Sequence, residues 1–147
     1  MGKDIGKYYE EFTPGEIITH PRLLRVEWLP HAFFNLLTGN FQPLHWRGGH
    51  DGILVNGLYT LAISVAQTLP ETTLGTLKAN KGYDKVRHTR PVRIGNILTT
   101  STLVQSTRES SYHQGAGIVT FLHTMSANEV PALTFLRTAL ILRKFNY

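Results

Sequence analysis

The second half of the chain constrains its fold most. Four segments, 73–92 (TLGTLKANKGYDKVRHTRPV), 96–110 (NILTTSTLVQSTRES), 115–128 (GAGIVTFLHTMSAN) and 130–145 (VPALTFLRTALILRKF), are rich in Thr, Val, Ile and Leu. Branched side chains of this kind fit a pleated, half-buried surface, and turn-forming residues separate the segments. Strands joined by such short turns favour an antiparallel sheet, because parallel pairing needs long crossovers.

The segment ahead of them reads as a helix. Leu58, Leu61, Ala62, Val65, Ala66 and Leu69 share one helical face, and Pro70 stops the run. Tyr59 and Ile63 lie off that stripe, so the helix is apolar on more than one side and is expected to be buried. An earlier helix is predicted over LPHAFFNLLTG, with Pro30 at its start and Gly39 closing it. The opening EFTPGEIITHPRLLRVE reads as a strand broken by Pro21. Five glycines, at 39, 48, 49, 52 and 57, mark the span between the helices as irregular loop. One buried helix before a run of strands gives an α+β layering, an antiparallel sheet wrapped around a central helix. No repeat, linker or compositional break divides the chain, so residues 1–147 are read as a single domain.

Composition narrows the functional classes. The 147 residues are 41% hydrophobic and 17% charged, ordinary values for a folded chain. With no cysteine, disulfides, thiolate metal sites and a cysteine nucleophile are excluded. The N-terminal MGKDIGKYYEEF lacks a signal-peptide core, and Gly6 breaks a myristoylation pattern. The longest apolar stretch is interrupted by Asn56 and Gly57 and is too short to span a bilayer. A soluble, cytoplasmic protein that engages no membrane is expected. A net charge of +5 suits an anionic partner such as a phosphorylated cofactor or an acidic carrier protein. The basic residues are scattered and match no nucleic-acid module, so no nucleic acid is expected.

The run GNFQPLH, from Gly39 to His45, carries the chemistry. It resembles the signature of the MaoC-like dehydratases, the (R)-specific enoyl-CoA hydratases of the hot-dog fold. VNGLYTLAIS, with Asn56 and Gly57 opening the central helix, is similar to a second family element. PVRIGN at Pro91–Asn96 is similar to a third, and GIVTF and TALILRK resemble the last two strands. The resemblance covers nearly the whole chain and implies a single hot-dog fold. It also implies an acyl thioester substrate on coenzyme A or an acyl carrier protein, hydratase or dehydratase activity, and a homodimer. No cofactor and no metal is expected. Carried over residue by residue, it places the catalytic roles on His45 and Asn40. Substrate binding falls on Gly57, whose N–H would polarise the thioester carbonyl, and on Asn56.

The chain departs from the family pattern at several of these positions. Asn40 stands where the signature has Asp, Gln42 where Asn is usual, Asn56 where His is common, and Arg47 where an acidic residue is frequent. An amide does not titrate near neutral pH, so Asn40 cannot act as general acid or base. His45 would be the sole proton-transfer group, with Asn40 orienting water or substrate. Two alternatives share that motive. One is a repurposed cyclase or isomerase acting on a polyketide-like intermediate. The other is a non-catalytic acyl-binding subunit of a hot-dog heteromer. Arg47, His50 and Asp51 are read as loop decoration, and His88, His113 and His123 as ordinary sheet or surface histidines. Phe33, Phe34, Trp46 and Tyr59 are read as core.

Overall fold

The computed structural model describes residues 6–145, so readings at residues 1–5 and 146–147 lie outside it. Strands β1 (Ile17–Thr19) and β2 (Leu24–Arg25) flank Pro21, as the broken-strand reading expects. Helix α1 covers Trp28–Thr38 and α2 covers Gly57–Thr68. They are followed by β3 (Leu77–His88), β4 (Ile97–Glu109), β5 (Ala116–Ala127) and β6 (Val130–Leu142). All pairings are antiparallel, in the order β1-β4-β5-β6-β3, with β2 also on β4. β3 is therefore an edge strand. The β5–β6 hairpin turns on Asn128 and Glu129, both at positive φ (48° and 69°), the geometry that suits a tight two-residue turn.

Gly39 closes α1 in the left-handed conformation, φ 69°, where a glycine costs least. The face of α1 that is buried carries His31, Ala32 and Asn35. Its large apolar residues Leu29, Phe33, Leu36 and Leu37 are exposed instead. Phe33 is thus a surface residue, against the expectation that it belongs to the core, while Phe34, Trp46 and Tyr59 are half-buried.

Helix α2 lies against the sheet, but its fully covered residues are Thr60, Ser64, Gln67 and Thr68. The sheet offers them polar partners. The Gln67 amide donates to the Leu98 carbonyl (2.8 Å) and its oxygen accepts from the Thr100 hydroxyl (2.7 Å), with Ser64 3.1 Å from Thr100. Tyr59, Leu61, Ile63 and Val65 pack at the flanks on a core of Val26, Leu98, Met125, Leu133 and Phe135. The Leu58, Ala62 and Ala66 side of the apolar stripe faces the opposite way. Leu58 is 63% exposed and Ala62 and Ala66 are exposed, beside Tyr83 of the free-edged β3. The expectation of an apolar helix buried on more than one side is corrected here: the polar seam goes inward because hydrogen-bonded polar groups can be buried at little cost. Among the described residues no helix is long and apolar enough to cross a membrane.

Candidate active site

The loop between the helices is short on regular structure but tightly anchored. Asn40 N donates to the last turn of α1 at Asn35 O (2.9 Å), and the Asn40 side-chain oxygen accepts from Gln42 N (3.1 Å), an Asx turn. The Asn40 carbonyl accepts from the indole of Trp46 (2.8 Å), whose ring stacks on Phe41 and meets Trp28 edge-on. Pro43–His45 forms one 3-10 turn, and Leu54 N returns to Leu44 O (3.1 Å). Val55 N then bonds Val92 O (2.8 Å), tying the loop to the segment after β3.

That anchoring fixes His45. Its Nδ1 lies 2.7 Å from the Leu54 carbonyl oxygen. A carbonyl only accepts, so Nδ1 carries the proton and Nε2 of the neutral ring is left as a base. His45 lines a cavity of about 340 Å³ together with Leu54, Val55, Gly57, Thr60 and the run from His88 to Val92. Gly57, the first residue of α2, forms part of the same wall, where the leading N–H groups of a helix have no intrahelical partner. Of the four residues singled out from the sequence, the cavity brings together His45 and Gly57.

Asn56 sits behind this wall and is buried. Its side-chain oxygen caps α2 by accepting from Leu58 N (3.0 Å), and its amide donates to the Asn35 side-chain oxygen (2.9 Å). Its backbone N–H donates to His31 Nε2 (2.9 Å). Burial, with a further push from nearby His45, lowers the pKa of His31, and burial raises that of the Tyr59 phenol. This Asn35–His31–Asn56 cluster holds the start of α2 in place. Arg47, His50 and Asp51 are exposed on the loop and line a separate shallow depression with Arg93.

His88, read from the sequence as an ordinary sheet or surface histidine, is an exposed strand residue that also reaches the cavity. It ends β3 on the cavity wall, against Gly57. Residue type and spacing alone gave no signal for this, since nothing local ties position 88 to position 57. His123 is buried within the sheet, and no group of His, Asp or Glu among the described residues has the arrangement of a metal site.

The MaoC like domain model matches residues 30–126. The chain belongs to the MaoC-like family. Its hot-dog architecture is shared with solved structures. A monoamine oxidase regulatory protein from Archaeoglobus fulgius is 25% identical, with a TM-score of 0.82 over 95% of this chain and 97% of that one. A Mycobacterium tuberculosis protein with a double hotdog fold is 22% identical, with a TM-score of 0.84 over 97% of this chain and 46% of that one. The (R)-hydratase of A. caviae involved in PHA biosynthesis is 19% identical, with a TM-score of 0.69 over 90% of this chain and 98% of that one. No curated protein sequence matches the MaoC-like chain.

Proposed function

We propose that this MaoC-like protein hydrates an enoyl thioester, and dehydrates the 3-hydroxyacyl thioester in reverse, with His45 as its one proton-transfer residue. The observation that carries this is the His45 tautomer: Nδ1–H is committed to Leu54 O, leaving Nε2 as the base on a wall shared with the N-terminus of α2. In hydration, Nε2 takes a proton from water as the oxygen adds to Cβ. The same imidazolium then returns that proton to Cα, so the enzyme ends as it began. Between these steps the charge sits on the thioester oxygen, where the Gly57 N–H and the positive end of the helix stabilise it. Asn40 contributes by shaping the turn that presents His45, and Asn56 by capping α2. Arg90 on the rim favours an anionic carrier, coenzyme A or an acyl carrier protein.

The active unit is a homodimer in this reading. The exposed stripe of α2 and the open edge of β3 lie side by side, and a second copy would cover both.

The test is hydration of a short-chain enoyl-CoA by wild type, His45→Ala and Asn40→Asp. Activity in wild type that falls about 10²–10⁴-fold in His45→Ala is the expected result. An active wild type that His45→Ala leaves unchanged would overturn it. A second reading has its own support: the cavity wall carries no Asp or Glu among the described residues. Should hydration appear only in Asn40→Asp, the native site runs a cyclisation or isomerisation that needs shape, one base and hydrogen-bond donors.

A further inference from the structure

The alternation of side chains along β3 is reversed just before the cavity. Tyr83 pairs with Arg137 and Asp84 with Leu136, but the next pairs are Arg87 with Thr134 and His88 with Leu133. Three steps on β3 thus answer two on β6, which is a β-bulge. Inside it Lys85 has φ 49°, an uncommon conformation for a residue with a side chain. Arg137 and Leu133 both point to the buried face of β6. Had pairing continued in step from Tyr83, Arg87 would have come round to that face and His88 would have turned outward. The extra residue inverts this: Val86 packs on the core and His88 is delivered to the side that faces α2. Bulges beside functional sites commonly re-aim a side chain in this way.

The ring is aimed at the first residue of α2. A Cβ added to Gly57 would stand 2.8 Å from His88 Cε1 and 2.9 Å from Nε2, so the imidazole lies directly against the glycine and a side chain at position 57 would push the ring from this position. Both residues line the cavity that holds His45. Among the described residues the His88 ring has no hydrogen-bond partner, whereas Nδ1 of His45 is already committed to Leu54 O.

We propose that His88 is a catalytic residue, the second hydrogen-bond donor to the thioester oxygen beside the Gly57 N–H. The inference rests on the thioester reading above. A neutral imidazole carries one N–H and an imidazolium two, so the donor is present in either charge state. No proton needs to leave it: the charge that forms on the oxygen during addition to Cβ is held by two donors and released when Cα is protonated. Removal of one such donor typically costs about 10²–10³-fold in kcat.

Turnover of the enoyl-CoA by wild type, His45→Ala, His88→Ala and His88→Gln tests this, with melting temperatures measured alongside. His88→Ala is expected to lose about 10²–10³-fold in both kcat and kcat/KM, the mark of an interaction made in the transition state. His88→Gln keeps an N–H and is expected to recover at least about tenfold of that loss, with melting temperatures matching wild type. An active wild type with His45→Ala dead and His88→Ala within about threefold would overturn the role of His88 alone. Equal losses in His88→Ala and His88→Gln would overturn the donor role in favour of proton transfer by the imidazole. A wild type with no activity on enoyl thioesters overturns the thioester reading, and the inference with it.

Discussion

Asn40 and Asn56, neither of which lines the cavity, show how one residue type serves different ends. The Asn56 side chain uses both halves of its amide, the oxygen on Leu58 N and the nitrogen on Asn35, in a buried setting. Asn56→Ala removes a helix cap, typically worth about 1 kcal/mol, and leaves buried polar groups of the cluster without a partner at about 1–3 kcal/mol more. Urea unfolding should place the loss at about 2–4 kcal/mol. Asn40 is different, because its side chain supplies only an acceptor to Gln42 N and its backbone holds Trp46. Aspartate offers the same acceptor, so Asn40→Asp should stay within about 0.5 kcal/mol of wild type, the range of a benign surface change. A larger shift in the urea midpoint would mean the amide nitrogen has work that the turn does not explain. Gly57→Ala is the complementary case. Its methyl group meets the His88 ring rather than open space, so kcat should fall far more than stability.

At the level of elements, the helix α2 was legible as a stripe but not in its orientation. Spacing identified Leu58, Leu61, Ala62, Val65, Ala66 and Leu69 as neighbours, since periodicity depends only on the rise and turn of a helix. What covers that face is a tertiary matter, and here Thr60, Ser64 and Gln67 meet the sheet because Thr100 and the Leu98 carbonyl are there to receive them. The same division holds for the site. His45 and Gly57 stood in short motifs whose order along the chain placed them together, whereas His88 depends on a bulge that shifts strand parity by one residue. A register shift leaves no mark in composition or alternation read along a single strand. The outward stripe gives a direct prediction. Ala62 is exposed in the single chain, so Ala62→Glu should leave the fold intact, yet its charge would be buried unpaired in a dimer formed across α2. Sedimentation should show wild type at twice the chain mass and the variant at the chain mass. A variant that sediments as a dimer would place the interface elsewhere.

For the molecule as a whole, a buried chain of histidines and a threonine that runs from the segment after β1 across β4 and β5 sets the response to acid. His20 Nδ1 lies 2.7 Å from the Glu71 carboxylate and Nε2 lies 2.7 Å from the Thr102 hydroxyl, which in turn lies 2.8 Å from His123 Nδ1. With both imidazoles neutral, every donor in this chain points toward Glu71: His123 N–H to Thr102, Thr102 O–H to His20, His20 N–H to the carboxylate. Burial pushes the pKa of His123 down to about 3, and the positive charge of Arg137 adds to the effect. Burial lowers His20 as well, against the pull of Glu71, and His31 moves in the same direction. In the unfolded chain a histidine takes its proton near its ordinary value of 6.5. Between that pH and about 3 the unfolded state therefore binds more protons than the folded one. The stability contributed by neutral His123 is complete above the unfolded value, declines by about 1.4 kcal/mol per unit as pH falls below it, and levels off beneath the folded value. His123→Gln retains an N–H for Thr102 but does not titrate. Urea unfolding from neutral pH down to about two units below the unfolded value should show wild type losing about 2–3 kcal/mol more than this variant. His20 and His31 keep part of the slope in both proteins, so the difference between the curves, not the slope of either, reports His123. Two parallel curves would mean that His123 takes up its proton without leaving the folded state.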